Sequence, residues 1–420
     1  MLTVITSFPS TWRRWRQAIP ALARFAALAA LLCASLMAFS GAGVAQGLGQ
    51  PPALPRPPQL VPLDRAFLNA ATALFNTVPV TAEKTIIVID PLVDGITGIQ
   101  SAATRGFDRR IAALVAERYQ HIEVLPFTVE NLAKAKFIFI GTFNTINNAG
   151  QPTGPRDAFW ICFALIDQAS KTVAARSVAR ATISDVDIAP ARFYADTPVW
   201  GLDAATIAYI ETCQRSRPGD PVSPAYMAQL PAAARIREAT VAYEAGDARR
   251  ALDLYREARA MPEGDQLRAL NGLYLALMAI GERDEAAKAF SQLVSNGLSL
   301  GRLGVLFLFE VGTTNFNSQT AAAAHYANWL NEIATRAGSA EGCLQVVGHA
   351  SRTGLEAFNE RLSRERAERI IALLAERAPG LAGRLRPAGV GSREVLVGLP
   401  RDDSSTDIDR RVEFRAATCA

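Results

Sequence analysis

The sequence predicts a multidomain α+β protein: an amino-terminal α/β sandwich, a central α-helical repeat pair and a carboxy-terminal domain of β-α-β-α-β-β order. Three observations predict it. Apolar strand-like runs alternate with helical periods over residues 63–214, a helical pattern repeats within 232–300, and strands and helices alternate again over 301–420. Because 420 residues, half of them hydrophobic, exceed what one ordinary core holds, several domains are expected.

Residues 1–45 are typical of a signal peptide. Arginines precede an apolar run over 25–39, and the small residues at 43–45 suit a signal peptidase. We therefore expect export and cleavage near Gln46. The apolar run is shorter than the roughly 20 residues of a membrane span, so a permanent anchor is the lesser alternative. Residues 46–62 follow as a proline-rich linker, extended and semi-rigid.

Charge and motif content argue against several function classes. A total of 44 Lys and Arg against 40 Asp and Glu leaves a net charge of +4, too small for a nucleic-acid-binding field. The three histidines, His121, His325 and His349, are scattered, which argues against a metal site. No phosphate-binding glycine loop follows a predicted strand. We predict neither a cofactor nor a nucleic-acid partner.

The cysteines indicate disulfide bonds. With Cys33 removed in the leader, four cysteines remain, and an even count in an exported protein suggests pairing. Three pairings are possible in principle. If domains fold as units, Cys162 pairs with Cys213 and Cys343 with Cys419.

The amino-terminal domain alternates strands and helices before a hairpin. Strand-like runs and helical periods occupy 84–90, 106–119, 121–127, 129–135 and 136–143, and a hairpin over 158–181 turns near 168–171. This pattern favours one sheet with helices packed on it. The order resembles the small periplasmic domains of the CsgG, FlgO and TolB amino-terminal kind, as a similarity of topology.

Asp90 and Asp94 are candidate catalytic carboxylates in this domain. Both follow the first predicted strand, and α/β sheets often place functional groups at the carboxyl ends of strands. A turn containing Pro91 and Gly95 explains the same residues without a function, and this interpretation is favoured. The sequence contains no nucleophile elbow and no HExxH motif that would support a hydrolase.

An internal repeat follows a predicted linker over 215–231. Gly246 aligns with Gly281, and Ala251 with Ala286, at an offset of 35 residues (281 − 246 and 286 − 251). Glycine allows a tight corner between antiparallel helices, and alanine lets them approach closely. The pattern resembles the tetratricopeptide repeat, which implies either a protein-binding face or an inert spacer.

The carboxy-terminal domain contains a strand-to-helix corner within residues 342–378. A strand over 342–350 precedes a helix over 361–378, with Ser363 as its N-cap and Arg366 at its third position. Helix-terminal N–H groups beside a strand end are a natural place to receive a carboxylate.

The residues of this corner resemble a known family. The stretch 346–370 looks like the motif G-H-T-D-x-x-G-x-x-x-x-N-x-x-L-S-x-x-R-A of the OmpA-like (OmpA/MotB) peptidoglycan-associating domain. The matching residues are Gly348, His349, Gly354, Asn359, Leu362, Ser363, Arg366 and Ala367. The similarity spans about residues 301–418. It also implies that the strand from Cys343 runs antiparallel to the final strand, which brings Cys343 and Cys419 together.

The resemblance implies a site for the diaminopimelate of a peptidoglycan stem peptide. In the family an Asp takes the ammonium, while the helix Arg takes the carboxylate. Here Arg366 remains, and His349, Asn359 and Ser363 remain as polar support. Ser351 replaces the acid, and an ammonium left without an acid in a partly buried site costs several kcal/mol. Either the domain binds the wall weakly, or it has changed its ligand.

Together these features predict a non-enzymatic, exported envelope protein, located in the periplasm at the cell wall or outer membrane. Its OmpA-like domain would associate with the peptidoglycan stem peptide, and its repeats would hold a periplasmic or outer-membrane protein. One alternative is an envelope assembly or secretion accessory factor whose OmpA-like domain has lost wall binding. The alternative from another class is a hydrolase in the amino-terminal domain.

Overall fold

The computed structural model describes residues 58–184, 186–339 and 341–419. The predicted signal peptide and most of the proline-rich linker lie outside these residues. The helices are α1 Leu63–Phe75, α2 Ala102–Arg118, α3 Val129–Lys134, α4 Arg192–Asp196, α5 Ala204–Arg215, α6 Pro224–Glu244, α7 Ala248–Ala260, α8 Leu267–Ile280, α9 Arg283–Ser299, α10 Tyr326–Ser339 and α11 Glu356–Arg377. The strands are β1 Leu60–Val61, β2 Thr85–Ile89, β3 Ile122–Leu125, β4 Phe137–Ile146, β5 Ala158–Asp167, β6 Thr172–Thr182, β7 Val199–Trp200, β8 Arg302–Val305, β9 Cys343–Gly348, β10 Leu385–Gly389 and β11 Val412–Ala417.

The amino-terminal sheet has six strands in the order β1-β6-β5-β4-β2-β3. β2 is parallel to both β3 and β4, whereas β4, β5 and β6 form antiparallel pairs. Apolar side chains of α1 and α2 pack on one face, and those of α3, α5 and α6 pack on the other. Because both faces are covered, all ten residues of β4 are buried, which explains the apolar run at its start.

The predicted linker differs from the observed chain. Residues 224–231 form the first turns of α6, where Tyr226 and Leu230 pack against the sheet. Proline is tolerated at a helix start, so Pro224 begins this helix instead of ending structure. Cys162 on β5 is bonded to Cys213 on α5, with their Cα atoms 6.2 Å apart, which fastens α5 to the sheet.

The helices α6 to α9 reproduce the internal repeat. Gly246 and Gly281 have φ angles of 86° and 84°, a left-handed conformation that favours glycine, and each ends the first helix of a pair. Ala251 and Ala286 are buried between the helices. The second pair continues into the carboxy-terminal core, because the Phe290 ring stacks on the Trp329 ring at 5.6 Å.

The carboxy-terminal sheet has the order β10-β9-β11-β8-β7. Its elements follow the predicted β-α-β-α-β-β order, but β7 adds a fifth strand from residues expected in the amino-terminal domain. Trp200 of β7 pairs with Gly304 and donates its indole N–H to the carbonyl of Thr97 at 3.1 Å. The side chain of Thr145 on β4 also donates to the carbonyl of Val397. These contacts join the two sheets.

Two elements of this part differ from prediction. The apolar run over 305–317 is strand-like in sequence, but the strand β8 ends at Val305, and an irregular loop follows, closed by a bridge between Phe309 and Phe316. α11 begins at Glu356, so the N-cap prediction for Ser363 is wrong: Ser363 lies inside the helix. Residues 356–363 contain no proline or glycine that would delay the helix.

The antiparallel strands implied for the last cysteine pair are present. Ala417 of β11 pairs with Cys343 of β9, and Cys343 is bonded to Cys419 with Cα atoms 5.1 Å apart. No helix within the described ranges is both long and apolar enough to cross a bilayer.

Candidate functional site

The corner between β9 and α11 is built on a close backbone approach. A Cβ atom at Gly348 would lie 1.8 Å from the carbonyl oxygen of Ser363, so only glycine fits at the end of β9. A Cβ atom at Gly389, on the neighbouring β10, would lie 2.5 Å from the carbonyl oxygen of Glu360. Both glycines let α11 lie directly over the strand ends.

Asn359 shapes the loop that leaves the corner. Its side-chain amide donates to the carbonyl of Ser351 at 3.2 Å and to that of Thr353 at 2.9 Å. Gly354 turns the chain with a φ of 84°, a conformation that favours glycine. The role of Asn359 in this structure is therefore to hold the loop that carries Ser351.

Ser363 fastens the turn after β10. Its hydroxyl donates to the carbonyl of Glu360 at 2.9 Å and accepts from the N–H of Gly391 at 3.0 Å. The side chain is fully buried, and it supports the corner from behind.

Arg366 is 1% exposed and lies in the interior of α11, not at its third position. Its Nε donates to the carbonyl of Thr313 at 2.9 Å, and its Nη2 donates to the carbonyl of Glu310 at 3.0 Å. The guanidinium also stands 5.0 Å from the ring centre of Phe309. Burial, and secondarily the charge of Arg410, lower the pKa of Arg366 to about 10. Arg366 thus anchors the loop that follows β8.

A pocket with a volume of about 190 Å³ opens at this corner. Its polar lining residues are Ser351, Thr353, Asn359, Arg366, Asp402 and Arg410. The sequence predicted Ser351, Asn359 and Arg366 for this site, and the structure brings them together.

The structure adds Asp402 and Arg410, which the sequence did not predict. Arg410 donates from Nη1 to Asp402 at 3.0 Å, and its Nη2 pairs with Asp407. The hydroxyl of Thr353 donates to the other carboxylate oxygen of Asp402. Arg410 directly precedes Arg411 and the last strand, whereas Asp402 lies in an irregular polar loop that carries no motif. A carboxylate therefore lines the same pocket as Ser351.

His349 lies outside the pocket. Its side chain is fully buried, neither ring nitrogen forms a hydrogen bond to any residue that the structure describes, and Nε2 is 3.7 Å from Glu413. Burial, together with the charge of Arg411, lowers the pKa of His349 well below its usual value. The imidazole is therefore neutral, and it does not line the pocket in which a ligand would bind.

Glu413 is the centre of a buried ion-pair network beneath the corner. Its carboxylate pairs with Arg411 at 2.7 Å, with Arg302 at 3.0 Å and with Arg415 at 2.9 Å. Burial alone would raise the pKa of Glu413, but Arg411 and Arg302 outweigh it and hold the pKa far below the usual value. This network joins β8 to β11 behind the pocket.

The two amino-terminal aspartates lie elsewhere. Asp94 accepts from the N–H of Ile96 at 2.9 Å and from the N–H of Thr97 at 2.7 Å, which is turn chemistry. Asp90 is buried and accepts from the hydroxyl of Tyr226 at 2.9 Å. Burial raises the pKa of each aspartate to about 6. Asp90 thus connects β2 to α6 inside the fold.

Comparison with protein families finds no match for this sequence, and comparison with curated proteins finds none either. Solved structures are similar in part. The periplasmic domain of Helicobacter pylori MotB matches at 21% identity over 28% of this chain and 74% of its own, with a TM-score of 0.23. The peptidoglycan-associated lipoprotein from Burkholderia pseudomallei matches at 19% identity over 26% of this chain and 88% of its own, with a TM-score of 0.23. The OmpA-like domain of FopA1 from Francisella tularensis matches at 18% identity over 28% of this chain and 73% of its own, with a TM-score of 0.22.

Proposed function

We propose that this chain is a non-enzymatic cell-envelope protein of the periplasm. It associates with peptidoglycan through its OmpA-like domain and holds a periplasmic or outer-membrane protein through its helical repeats. The observation that carries the proposal is the pocket that joins Ser351 and Arg366 to Asp402. The family motif over residues 346–370 supports the same ligand.

The charges of the pocket suit the diaminopimelate side chain, which ends in an ammonium and a carboxylate on one carbon. Asp402 offers the ammonium an acid, and the hydroxyls of Ser351 and Thr353 stand beside it. Arg366 and Arg410 supply the positive charge that a carboxylate needs. Asp402 thereby takes over the role of the acid that the motif lacks.

A specific observation favours the alternative of an accessory factor without wall binding. Arg366 donates two hydrogen bonds to the carbonyls of Glu310 and Thr313, and a donor used for a loop is not available to a ligand. Of the three guanidinium nitrogens of Arg366, Nη1 is the one for which no acceptor is found within the described ranges. Wall binding through this guanidinium therefore depends on Nη1 of Arg366.

Cosedimentation of the full chain with two purified walls tests the proposal. One wall carries diaminopimelate in its stem peptide, and the other carries lysine, which lacks the second carboxylate. We expect binding to the first and at least about tenfold weaker binding to the second, since charge-assisted hydrogen bonds are lost. Absence of binding to both walls would overturn wall association and leave the accessory role.

A further inference from the structure

A second cavity, with a volume of about 640 Å³, lies far along the chain from the corner described above. It is bounded by the carboxyl ends of β2 and β3, by α2, and by α6 and the start of α7. Its size lies within the range of about 300 to 1,000 Å³ that is typical of small-molecule sites. The proposed wall association makes no use of it.

The topology of the sheet explains the cavity. β2 and β3 are parallel neighbours, yet the chain leaves them toward opposite faces. After β2 it enters α2, whose Phe107 packs on one face, and after β3 it enters α3, whose Leu132 packs on the other. Diverging connections open a crevice at the strand ends, where open α/β sheets bind their ligands.

The interior of the cavity is mainly apolar. Pro91, Val124 and Phe127 line it at the strand ends, and Val241 lines it on the side of α6. Val241 is 49% exposed, which is high for a large apolar side chain on a helix packed against a sheet. An apolar ligand would cover this surface.

The cations around the cavity form no close ion pair within the described part of the chain, whereas two of its acids are engaged. Arg109, Arg237 and Arg250 line it, and none of them has an ion pair within 4.0 Å among the residues described. Asp247 accepts from the N–H of Arg250 at 3.1 Å and caps α7. Glu238 accepts from the N–H of Val129 at 3.0 Å and pairs with an arginine of its own helix.

Asp108 is the remaining acid, and its environment weakens its charge. Burial raises its pKa to about 7, even though Arg237 opposes that rise. At neutral pH a good part of this carboxyl is therefore uncharged. The lining then presents three arginines to a ligand without an equal number of ionised, available acids.

We propose that this cavity binds a small amphipathic anion, an apolar body that ends in one carboxylate. The apolar body lies against Val124, Phe127 and Val241, and the carboxylate faces Arg109, Arg237 and Arg250. Two independent observations carry this assignment: the crevice at the diverging strands, and three arginines that line an apolar interior without an ion pair within 4.0 Å to any described residue.

Fluorescence titration of the full chain with 1-anilinonaphthalene-8-sulfonate tests the proposal, followed by displacement with decanoate. We expect saturable binding at one site and competition by decanoate. Arg250→Ala should weaken binding about tenfold, the value of one charge-assisted hydrogen bond. The matched control is Arg249→Ala, because Arg249 is exposed on the same helix turn but does not line the cavity.

A second variant separates binding from folding. Val241→Glu places a negative charge at the mouth from an exposed position, so the fold should persist by circular dichroism while binding is lost. Equal binding by Arg250→Ala, Val241→Glu and the parent would overturn the proposal. So would equal displacement by decanol, because an uncharged competitor of the same length has no use for the arginines.

Discussion

Thr353 donates a hydrogen bond from its hydroxyl to the carboxylate of Asp402, although the two residues are 49 positions apart in the chain. The contact brings an acid from the loop before the last strand to the corner where Ser351 stands in place of one. Arg410 holds the same carboxylate at 3.0 Å from the other side. The position of this acid is the basis of the proposed wall site.

A Ser351→Asp substitution should restore wall binding to a protein that lacks the acid at position 402. In the double variant with Asp402→Asn, a carboxylate returns to the pocket from the loop after β9 instead of from the loop before β11. We expect cosedimentation with diaminopimelate-containing wall to recover to within about threefold of the parent, less than the cost of one hydrogen bond. A double variant as weak as Asp402→Asn alone would argue that the acid is not what the ligand needs.

Asp90 should make stability depend on pH. Its pKa is raised to about 6 from 3.8, so the folded state holds the proton more tightly than the unfolded chain. Stability therefore falls as pH rises between about 4 and 6, by at most about 3 kcal/mol. The side chain of Asp90→Asn cannot ionise. Denaturant unfolding at both ends of this window should therefore show that the free energy of unfolding of this variant increases relative to that of the parent as pH rises.

The control for this prediction is Asp253→Asn, on the exposed face of α7. Its stability relative to the parent should be the same at both pH values. A constant difference between the parent and Asp90→Asn would contradict the burial of an ionisable Asp90. If Asp90 instead served a hydrolase, Asp90→Asn would lose hydrolytic activity, and its stability relative to the parent would not increase with pH.

Glu413→Gln should destabilise the carboxy-terminal sheet by about 3 to 5 kcal/mol, because it leaves the buried guanidinium of Arg411 without its acid. Glu365→Gln is the control, since its pair with Arg361 at 3.7 Å is exposed on α11. That change should cost less than about 1 kcal/mol. Equal midpoints of the two variants in denaturant unfolding would show that the buried network contributes no more than a surface pair.

Binding of 1-anilinonaphthalene-8-sulfonate should strengthen as pH falls through about 7. Asp108 faces Arg105 of its own helix, Arg237 of α6, the carboxyl of Asp90 and the N–H of Leu92. Its pKa of about 7 means that it loses its negative charge below that pH, while the sulfonate stays ionised. Repulsion between the two anions then disappears.

Fluorescence titrations on either side of neutral pH measure this effect. Asp108→Asn should bind the dye at alkaline pH as tightly as the parent does at acidic pH. A variant that keeps the full pH dependence of the parent would assign the effect to another group.

The sequence predicted those elements in which the local structure determines the residue types. The strands β4 and β5 are mainly apolar because helices cover both faces of the sheet. The glycine turns of the repeat were predictable for the same reason, since Gly246 and Gly281 need a left-handed backbone. The antiparallel pairing that brings Cys343 to Cys419 followed from the family motif.

Features that depend on distant pairing were not predictable. Two residues, Val199 and Trp200, form a strand only because β8 offers its free edge. The loop that carries Asp402 has no regular structure, and its place in the pocket comes from Thr353 and Arg410, which no local pattern connects to it. Spacing along one chain segment therefore identified Arg366 but not the acid beside it.

Cosedimentation of Asp402→Asn and Asp407→Asn with diaminopimelate-containing peptidoglycan tests the central claim most directly. Both carboxylates pair with Arg410, but Asp402 lines the pocket and Asp407 does not. The account predicts at least about tenfold weaker binding for Asp402→Asn, through loss of a charge-assisted hydrogen bond, and binding near the parent's for Asp407→Asn. Equal binding by both variants and the parent would contradict the claim that Asp402 supplies the missing acid.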